Sequence, residues 1–567
     1  MLKNLLDLLP KAADWSPARK SWRADLIAGL TVAIVALPLA LAFGVTSGMG
    51  AQAGLITAII AGAVAAIFGG SNLQVSGPTG AMTVVLVPVV ASHGAQGVLL
   101  VGVMAGIILL ILAFARLGRL VRFLPLPVIE GFTAGIAVVI ALQQVPAALG
   151  IKDAAGDKVW QVAFDALKKF INSPNVIPLL MALAVAAVML FGARLSPGIP
   201  FSLIAVVVAT IGAVMLGGSL EPIGQLPAGI PAPSLEFIDF SIIQSLLPSA
   251  VAIAALAGLE SLLSATVADG MRVGERHDPD RELFGQGLAN LVSPIFGGIP
   301  ATAAIARTAV NVRAGARTRL AALSHAIILA AVVYFLSGLV AHIPLAALAG
   351  VLLATTVRMV DLRGIIALCR ATKRDAFVLI LTFAVTVVLD LVIAVVAGVI
   401  VAVVLALRSI ARSARLETVP LDTSDHSAEE AALLSQNVVA YRLDGPLFFA
   451  AAHRFLIGLT DVGGVKVVIL RLSYLTNLDA TGARLLGEAI DHLERRGVVV
   501  AISGASPVHE AIMRALGVAE NIYREGRVFS DTRDAIEWAR ERVQQKIARG
   551  VIQVSETKPN IDNKLED

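Results

Sequence analysis

From about residue 26 to residue 408 the chain is a succession of apolar runs, and two of them are broken at matching places by glycine and proline. The first break reads Ile67-Phe68-Gly69-Gly70 and then Pro78-Thr79-Gly80-Ala81-Met82-Thr83. The second reads Ile295-Phe296-Gly297-Gly298-Ile299-Pro300-Ala301-Thr302. Each is followed by a fresh apolar helical run. In a bilayer, irregular backbone survives only where it is buried or lines a cavity. Interrupted helices at corresponding places in two halves of a membrane protein point to a transporter's binding site. The unpaired N–H groups of the restarted helices would face the gap and attract anions. The pattern predicts a membrane carrier for small anions.

Composition agrees. Of the 567 residues 57% are hydrophobic and only 15% charged, with a mean hydropathy of +0.83; soluble domains carry about 25% charged residues. Most of this chain must therefore sit in lipid. The net charge of +4 is scattered, without the concentrated basic face that nucleic-acid binding needs. Cys369 is the single cysteine, which excludes an intrachain disulfide and a cysteine metal site. His93, His277, His325, His342 and His453 lack ligand spacing, so no metal is expected. No Walker A run is present, so ATP does not drive transport directly. The expectation is a transporter rather than an enzyme, with no cofactor beyond a coupling ion, H⁺ or Na⁺. The first 25 residues show no signal peptide; with Trp15, Trp22 and several basic residues they read as a cytoplasmic interfacial segment.

Fourteen membrane segments or half-segments are expected, near 27–46, 52–68, 80–92, 97–115, 127–149, 175–191, 200–217, 247–268, 284–296, 302–312, 320–340, 345–359, 375–390 and 392–408. An even count puts both termini on one side. The inner turns then collect Arg116, Arg119 and Arg122, Arg194, Arg272, Arg276 and Arg281, Arg313, Arg317 and Arg319, and Arg363 through Arg374. This obeys the positive-inside rule and places the termini in the cytoplasm, for a multi-pass protein of the inner membrane. Val32-Ala33-Ile34 with Ala36-Leu37 recurs as Val251-Ala252-Ile253 with Ala255-Leu256, and Ile-Phe-Gly-Gly recurs between the halves. Seven segments separate the copies, so the second is inverted.

The expected organisation is a cytoplasmic segment at 1–25 and a transport domain at 26–415, with repeats at about 26–217 and 245–410. A polar linker follows at 416–437, then a small α/β domain at 438–545 and a polar tail at 546–567. The α/β domain is read as strands at 438–443, 466–472 and 497–502 with helices near 450–460, 480–496 and 506–516.

Glu260 lies near the middle of the 247–268 segment. An intramembrane ionisable group is expensive and points to function, here to proton coupling; the plain alternative is a charge pair that locks two helices. Ser264, one turn on, could add an oxygen for a cation. Arg307, in the second restarted helix, balances Glu260, attracts the substrate, or snorkels to the surface. Thr79 and Thr302 open the restarted helices, where they would cap backbone N–H groups or hydrogen-bond an oxyanion.

The runs Leu37-Pro38-Leu39-Ala40-Leu41-Ala42, Val75-Ser76-Gly77-Pro78-Thr79, Gly285-Gln286-Gly287-Leu288-Ala289-Asn290 and Ala303-Ala304-Ile305-Ala306-Arg307 closely resemble the SulP family of sulfate permeases and related anion transporters. Gly445-Pro446-Leu447-Phe448-Phe449-Ala450 and Leu478-Asp479-Ala480-Thr481-Gly482 resemble its STAS domain. The resemblance implies a fourteen-segment fold of core and gate domains, elevator-type movement, and a homodimer in the lipid bilayer. It places a small anion between Thr79, Gly80 and Ala81 and Ala301, Thr302 and Ala303. Sodium-coupled bicarbonate members carry an aspartate and a threonine where this chain has Glu260 and Ser264, which favours H⁺ over Na⁺. Bicarbonate or sulfate is the expected substrate; a C4-dicarboxylate (succinate or fumarate) proton symporter, or an anion channel or exchanger, is the alternative. In the STAS domain, Thr481 stands where regulatory relatives carry a phosphorylatable serine, at a site for a cytoplasmic protein partner; equally it is an ordinary helix N-terminal residue.

Overall fold

The computed structural model describes residues 8–119, 125–156, 158–195, 200–216, 220–226, 229–272, 276–388, 391–413, 415–419, 437–448 and 465–549. The chain divides into two compact units, residues 1–400 and 401–567.

The first unit is helical: α1 (Ala18–Thr46), α2 (Ala51–Phe68), α3 (Gly80–Phe114), α4 (Leu126–Leu149), α5 (Val159–Asn172), α6 (Val176–Leu195), α7 (Phe201–Met215), α8 (Ile243–Met271), α9 (Pro279–Ile295), α10 (Ile305–Arg313), α11 (Leu320–Val340), α12 (Leu345–Met359), α13 (Leu362–Ala371) and α14 (Lys373–Val388), with α15 (Leu391–Ser413) running across the boundary. Seven helices among the described residues are long and apolar enough to cross a membrane: α1, α2, α3, α4, α8 with the 3-10 turn before it, α11, and α12 running on into α13. The predicted segments at 80–92 and 97–115 correspond to two helical stretches, labelled together as α3, that meet at Gly94, whose backbone is non-helical (φ 65°, ψ −163°). The span predicted at 302–312 is only the nine-residue α10. Two expected turns also contain helix: amphipathic α5, which buries Ala163 and Ala166, and the short α13.

The helices associate in two groups. In one, α3 packs on α8 and α9, α9 on α2, α11 on α1 and α2, and α10 on α8 and α1. In the other, α4 packs on α12 and α14, and α12 on α6. The core is built from small and branched residues, with Ala36, Ala40, Ala58, Ala257 and Ala354 all fully buried. Small side chains let helix backbones approach where lipid offers no hydrophobic drive to associate.

Both glycine–proline breaks lie inside the first group. Ser76–Gly77 (β1) and Thr302–Ala303 (β2) pair antiparallel, Ser76 opposite Ala303 and Gly77 opposite Thr302, and the ribbon is extended by Ala304 N–H donating to the Val75 carbonyl at 3.2 Å. Pairing the two interruptions with each other satisfies backbone that would otherwise be stranded in an apolar interior.

The second unit holds β3 (Arg415–Val419), β4 (Val438–Leu447), β5 (Val467–Arg471), β6 (Leu475–Leu478), α16 (Ala480–Arg495), β7 (Val499–Ser503), α17 (Pro507–Ala515), α18 (Glu520–Arg524), β8 (Val528–Phe529) and α19 (Thr532–Ala548). The sheet order is β3-β4-β5-β7-β8, with β6 beside β4. All pairs are parallel except β3 with β4. Val467, Val468, Ile469 and Leu470 are buried on both faces of central β5, as in a covered parallel strand. Leu486, Ile490 and Leu493 of α16 belong to the cluster on one side; Ala535, Ala539 and Val543 of α19 pack with Val467 and Ile469 on the other. The start of the expected linker is strand: β3 pairs with β4 over its whole length. The expected helix near 450–460 lies outside the described residues, as do residues 420–436 of the linker.

Candidate functional site

Because the ribbon is antiparallel, the chain leaves it in opposite directions: through Pro78 and Thr79 into α3, and through Ala304 into α10. Both helix N-termini therefore abut the ribbon, from opposite sides. The first N–H groups of each helix have no intrahelical acceptor, and the helix dipoles add positive potential there.

Three side chains converge on this place. Glu260, on α8 and partly accessible, accepts a hydrogen bond at 3.0 Å from Thr79 Oγ1. Arg307, 2% exposed in the first turn of α10, donates from Nη2 to the Pro78 carbonyl at 2.7 Å. Its Nη1 is buried with no hydrogen-bond partner. A Cβ on Gly77 would collide with that nitrogen, so glycine is what lets the guanidinium reach the ribbon. Glu260 and Arg307 are electrostatic neighbours.

The expected residues are thus brought together, with different duties for several. Thr79 is the N-cap residue of α3, yet its hydroxyl makes no cap and goes to Glu260 instead. Thr302 does not open a helix: it lies in β2, three residues before α10, and its hydroxyl bonds the Ala257 carbonyl at 3.0 Å and Ser261 Oγ at 2.9 Å. The Ala301 and Ala303 N–H groups are engaged by Asn290 Oδ1 at 2.8 Å and Ser261 Oγ at 3.3 Å. The amides left open on this side by helix geometry are those of Ile305, Ala306 and Arg307. Ser264 is fully buried and donates to Thr308 Oγ1 at 2.9 Å, which in turn accepts from the Val75 N–H. It is a structural link between α8 and α10. Gly80 and Ala81 form the first turn of α3, buried against Ile140 and Phe43.

Sequence reasoning passed over Ser261, whose side chain and carbonyl tie Thr302, Ala303 and Gln74 to α8. It also passed over Gln143, which comes from α4 to within 3.4 Å of Thr83 Oγ1 and leaves its Nε2 buried and unpartnered. A glutamine pair, Gln143-Gln144, inside an apolar span was a readable signal. His325 on α11 is fully buried, with neither ring nitrogen hydrogen-bonded, and Arg307 is its electrostatic neighbour. Among the described residues no cluster of His, Cys, Asp and Glu could hold a metal. In the second unit Thr481 is exposed in the first turn of α16, whose N-cap Asp479 accepts from the Gly482 N–H at 2.6 Å.

Residues 22–382 match the sulfate permease family, and residues 431–535 match the STAS domain. The chain is 33% identical over 528 residues to the putative sulfate transporter YvdB of Bacillus subtilis, covering 91% of this chain and 97% of that relative. It is 32% identical over 510 residues to the bicarbonate transporter BicA of Picosynechococcus, covering 85% and 89%. Among solved structures SLC26A9 superposes with a TM-score of 0.82 over 97% of this chain and 96% of that one; at 18% identity this bears on fold alone.

Proposed function

The chain belongs to the sulfate permease family, a multi-pass family of anion transporters, and on that premise we propose that it is a secondary active transporter of a small inorganic oxyanion, bicarbonate or sulfate, coupled to H⁺. The anion sits against the open amides of α3 and α10, with the Arg307 guanidinium supplying positive potential. Glu260 is the proton-coupling group. The observation that carries the reading is the Thr79–Glu260 hydrogen bond. It ties the only carboxylate of α8's membrane-buried middle to the residue that begins the anion-facing helix, so a change of charge on Glu260 is felt at the anion site. Alternating access follows if the group formed by α1, α2, α3 and α8 to α11 slides as a body against α4, α6, α7, α12 and α14. The termini and the STAS domain lie on the cytoplasmic side.

Proteoliposome uptake of labelled bicarbonate, sulfate and fumarate under imposed pH or Na⁺ gradients tests this. Accumulation of bicarbonate or sulfate driven by a pH gradient, and lost in Glu260→Gln, is the expected result. Accumulation of fumarate alone, strict Na⁺ dependence, or flux uncoupled from every gradient would overturn it.

A further inference from the structure

None of the side chains assigned above to the anion site lies on helix α9, yet one of its faces carries three buried polar side chains at four-residue spacing, Glu282, Gln286 and Asn290, exposed by 2%, 0% and 0%. Residues four apart on a helix stand one above another, and each of these three reaches across to an interruption. Glu282 Oε2 accepts from the N–H groups of Gly70 and Ser71 at 2.9 and 3.2 Å, at the entry to the first interruption. Gln286 Nε2 donates to Glu282 Oε1 at 2.9 Å and to Ser76 Oγ, in β1, at 2.7 Å. Asn290 pairs with both backbone groups of one residue. Its Oδ1 accepts from the Ala301 N–H and its Nδ2 donates to the Ala301 carbonyl, each at 2.8 Å. That is a β-bridge made by a side chain, immediately before β2. The same Nδ2 donates back to the Gln286 carbonyl at 2.9 Å.

We propose that Gln286 and Asn290 are positioning residues that set the protein's affinity for its anion, by holding both interruptions to one helix and so keeping the starts of α3 and α10 in register. The proposal rests on the anion site described above. Ser76 lies four residues ahead of Gly80, and Ala301 four ahead of Ile305. Gln286 and Asn290 therefore act through the ribbon and not by contact with the anion. The ribbon itself has only two residues in each strand, and so short a pairing does not hold its own register against slippage. The α9 side chains supply the missing reference. They are themselves held close by Gly285, where a Cβ would come within 2.5 Å of Gly69 backbone atoms. A site built of helix ends binds through several amides at once, and displacing reacting groups by as little as 1 Å is enough to lose much of a preorganised interaction.

The test measures concentration dependence of bicarbonate and sulfate uptake by the full chain in proteoliposomes, for Asn290→Ala, Ser76→Ala and Arg307→Gln. Asn290→Ala is expected to raise KM at least tenfold while changing kcat less than threefold. Ser76→Ala, which removes only the hydroxyl that Gln286 holds, should raise KM about threefold, and it decides the matter if Asn290→Ala does not fold. A role in stability alone would lower the amount of active protein, hence the apparent kcat, at unchanged KM. That outcome overturns the proposal. If Arg307→Gln abolishes uptake while the other two leave KM unaltered, the anion site stands and the positioning role falls. If Arg307→Gln leaves KM unaltered for both anions, the site itself falls and the proposal with it.

Discussion

The opposed charges of partly accessible Glu260 and buried Arg307 lend themselves to a double-mutant cycle. Arg307 is 2% exposed and donates a hydrogen bond to the Pro78 carbonyl at 2.7 Å. Replacing it by glutamine removes a charge-assisted hydrogen bond of about 1.5–3 kcal/mol. It also strips Glu260 of its counter-charge. Opposite unit charges about 4 Å apart at an effective dielectric near 20 attract by about 4 kcal/mol, and this pair, which makes no direct ion pair, by less. The single substitution should therefore destabilise by about 2–6 kcal/mol, a large part of the roughly 5–15 kcal/mol that typically separates folded from unfolded domains. Removing the second charge as well, in Glu260→Gln/Arg307→Gln, leaves no uncompensated ion, and the double variant should recover the Coulombic part of that loss. Unfolding of the purified full chain by titration with a denaturing detergent reads the cycle. Gradient-driven uptake should be absent from both single variants and from the double variant, since rebalancing the charge restores neither the cation nor the coupling carboxylate. If the two substitutions were simply additive in stability, Glu260 and Arg307 would not oppose one another and the electrostatic account of the site would be wrong.

Two further expectations concern other parts of the molecule. Asp25 is fully buried and accepts from Ser21 Oγ, the Arg317 and Thr318 N–H groups and Thr318 Oγ1 at 2.7, 2.7, 3.0 and 2.8 Å. Asp25→Ala strands two backbone donors and should cost about 3–5 kcal/mol, with faster amide exchange at residues 315–320; a loss below about 1 kcal/mol would contradict this. In the second unit, burial pushes the His509 imidazole below its ordinary value, so the unfolded chain takes up the proton more readily. The stability His509 contributes is then complete above roughly pH 6.5 and is lost as the pH falls below it. Amide exchange of residues 507–515 should accelerate between pH 7.5 and 5.5, after correction for intrinsic rates, and His509→Gln should flatten that dependence.

How much of this could be read from the chain differs from residue to residue. The interruptions were legible because glycine and proline inside an apolar run contradict a continuous helix wherever they occur. Glu260 and Arg307 were legible because a charge in such a run has few innocent explanations. The duties of the threonines were not. A threonine after a proline and before a helical run reads locally as a cap, and only the arrival of α8 showed that Thr79 and Thr302 spend their hydroxyls elsewhere. The break within α3 was legible for the same reason as the interruptions: the polar and glycine residues at 92–97 interrupt the apolar run, and the backbone leaves the helix at Gly94.

Sequence alone determined that the chain must live in lipid, that its backbone is broken at two related places, and which charges lie near them, since these follow from transfer energies and backbone preferences carried by each residue. Only the tertiary structure decided that the two breaks pair with each other, that the amides of residues 301 and 303 are already taken, and that α9 holds both interruptions from behind. Those are matters of which hydrogen-bonding group meets which across more than two hundred residues, and in an interior without water each such group is satisfied by whatever the fold brings within about 3 Å.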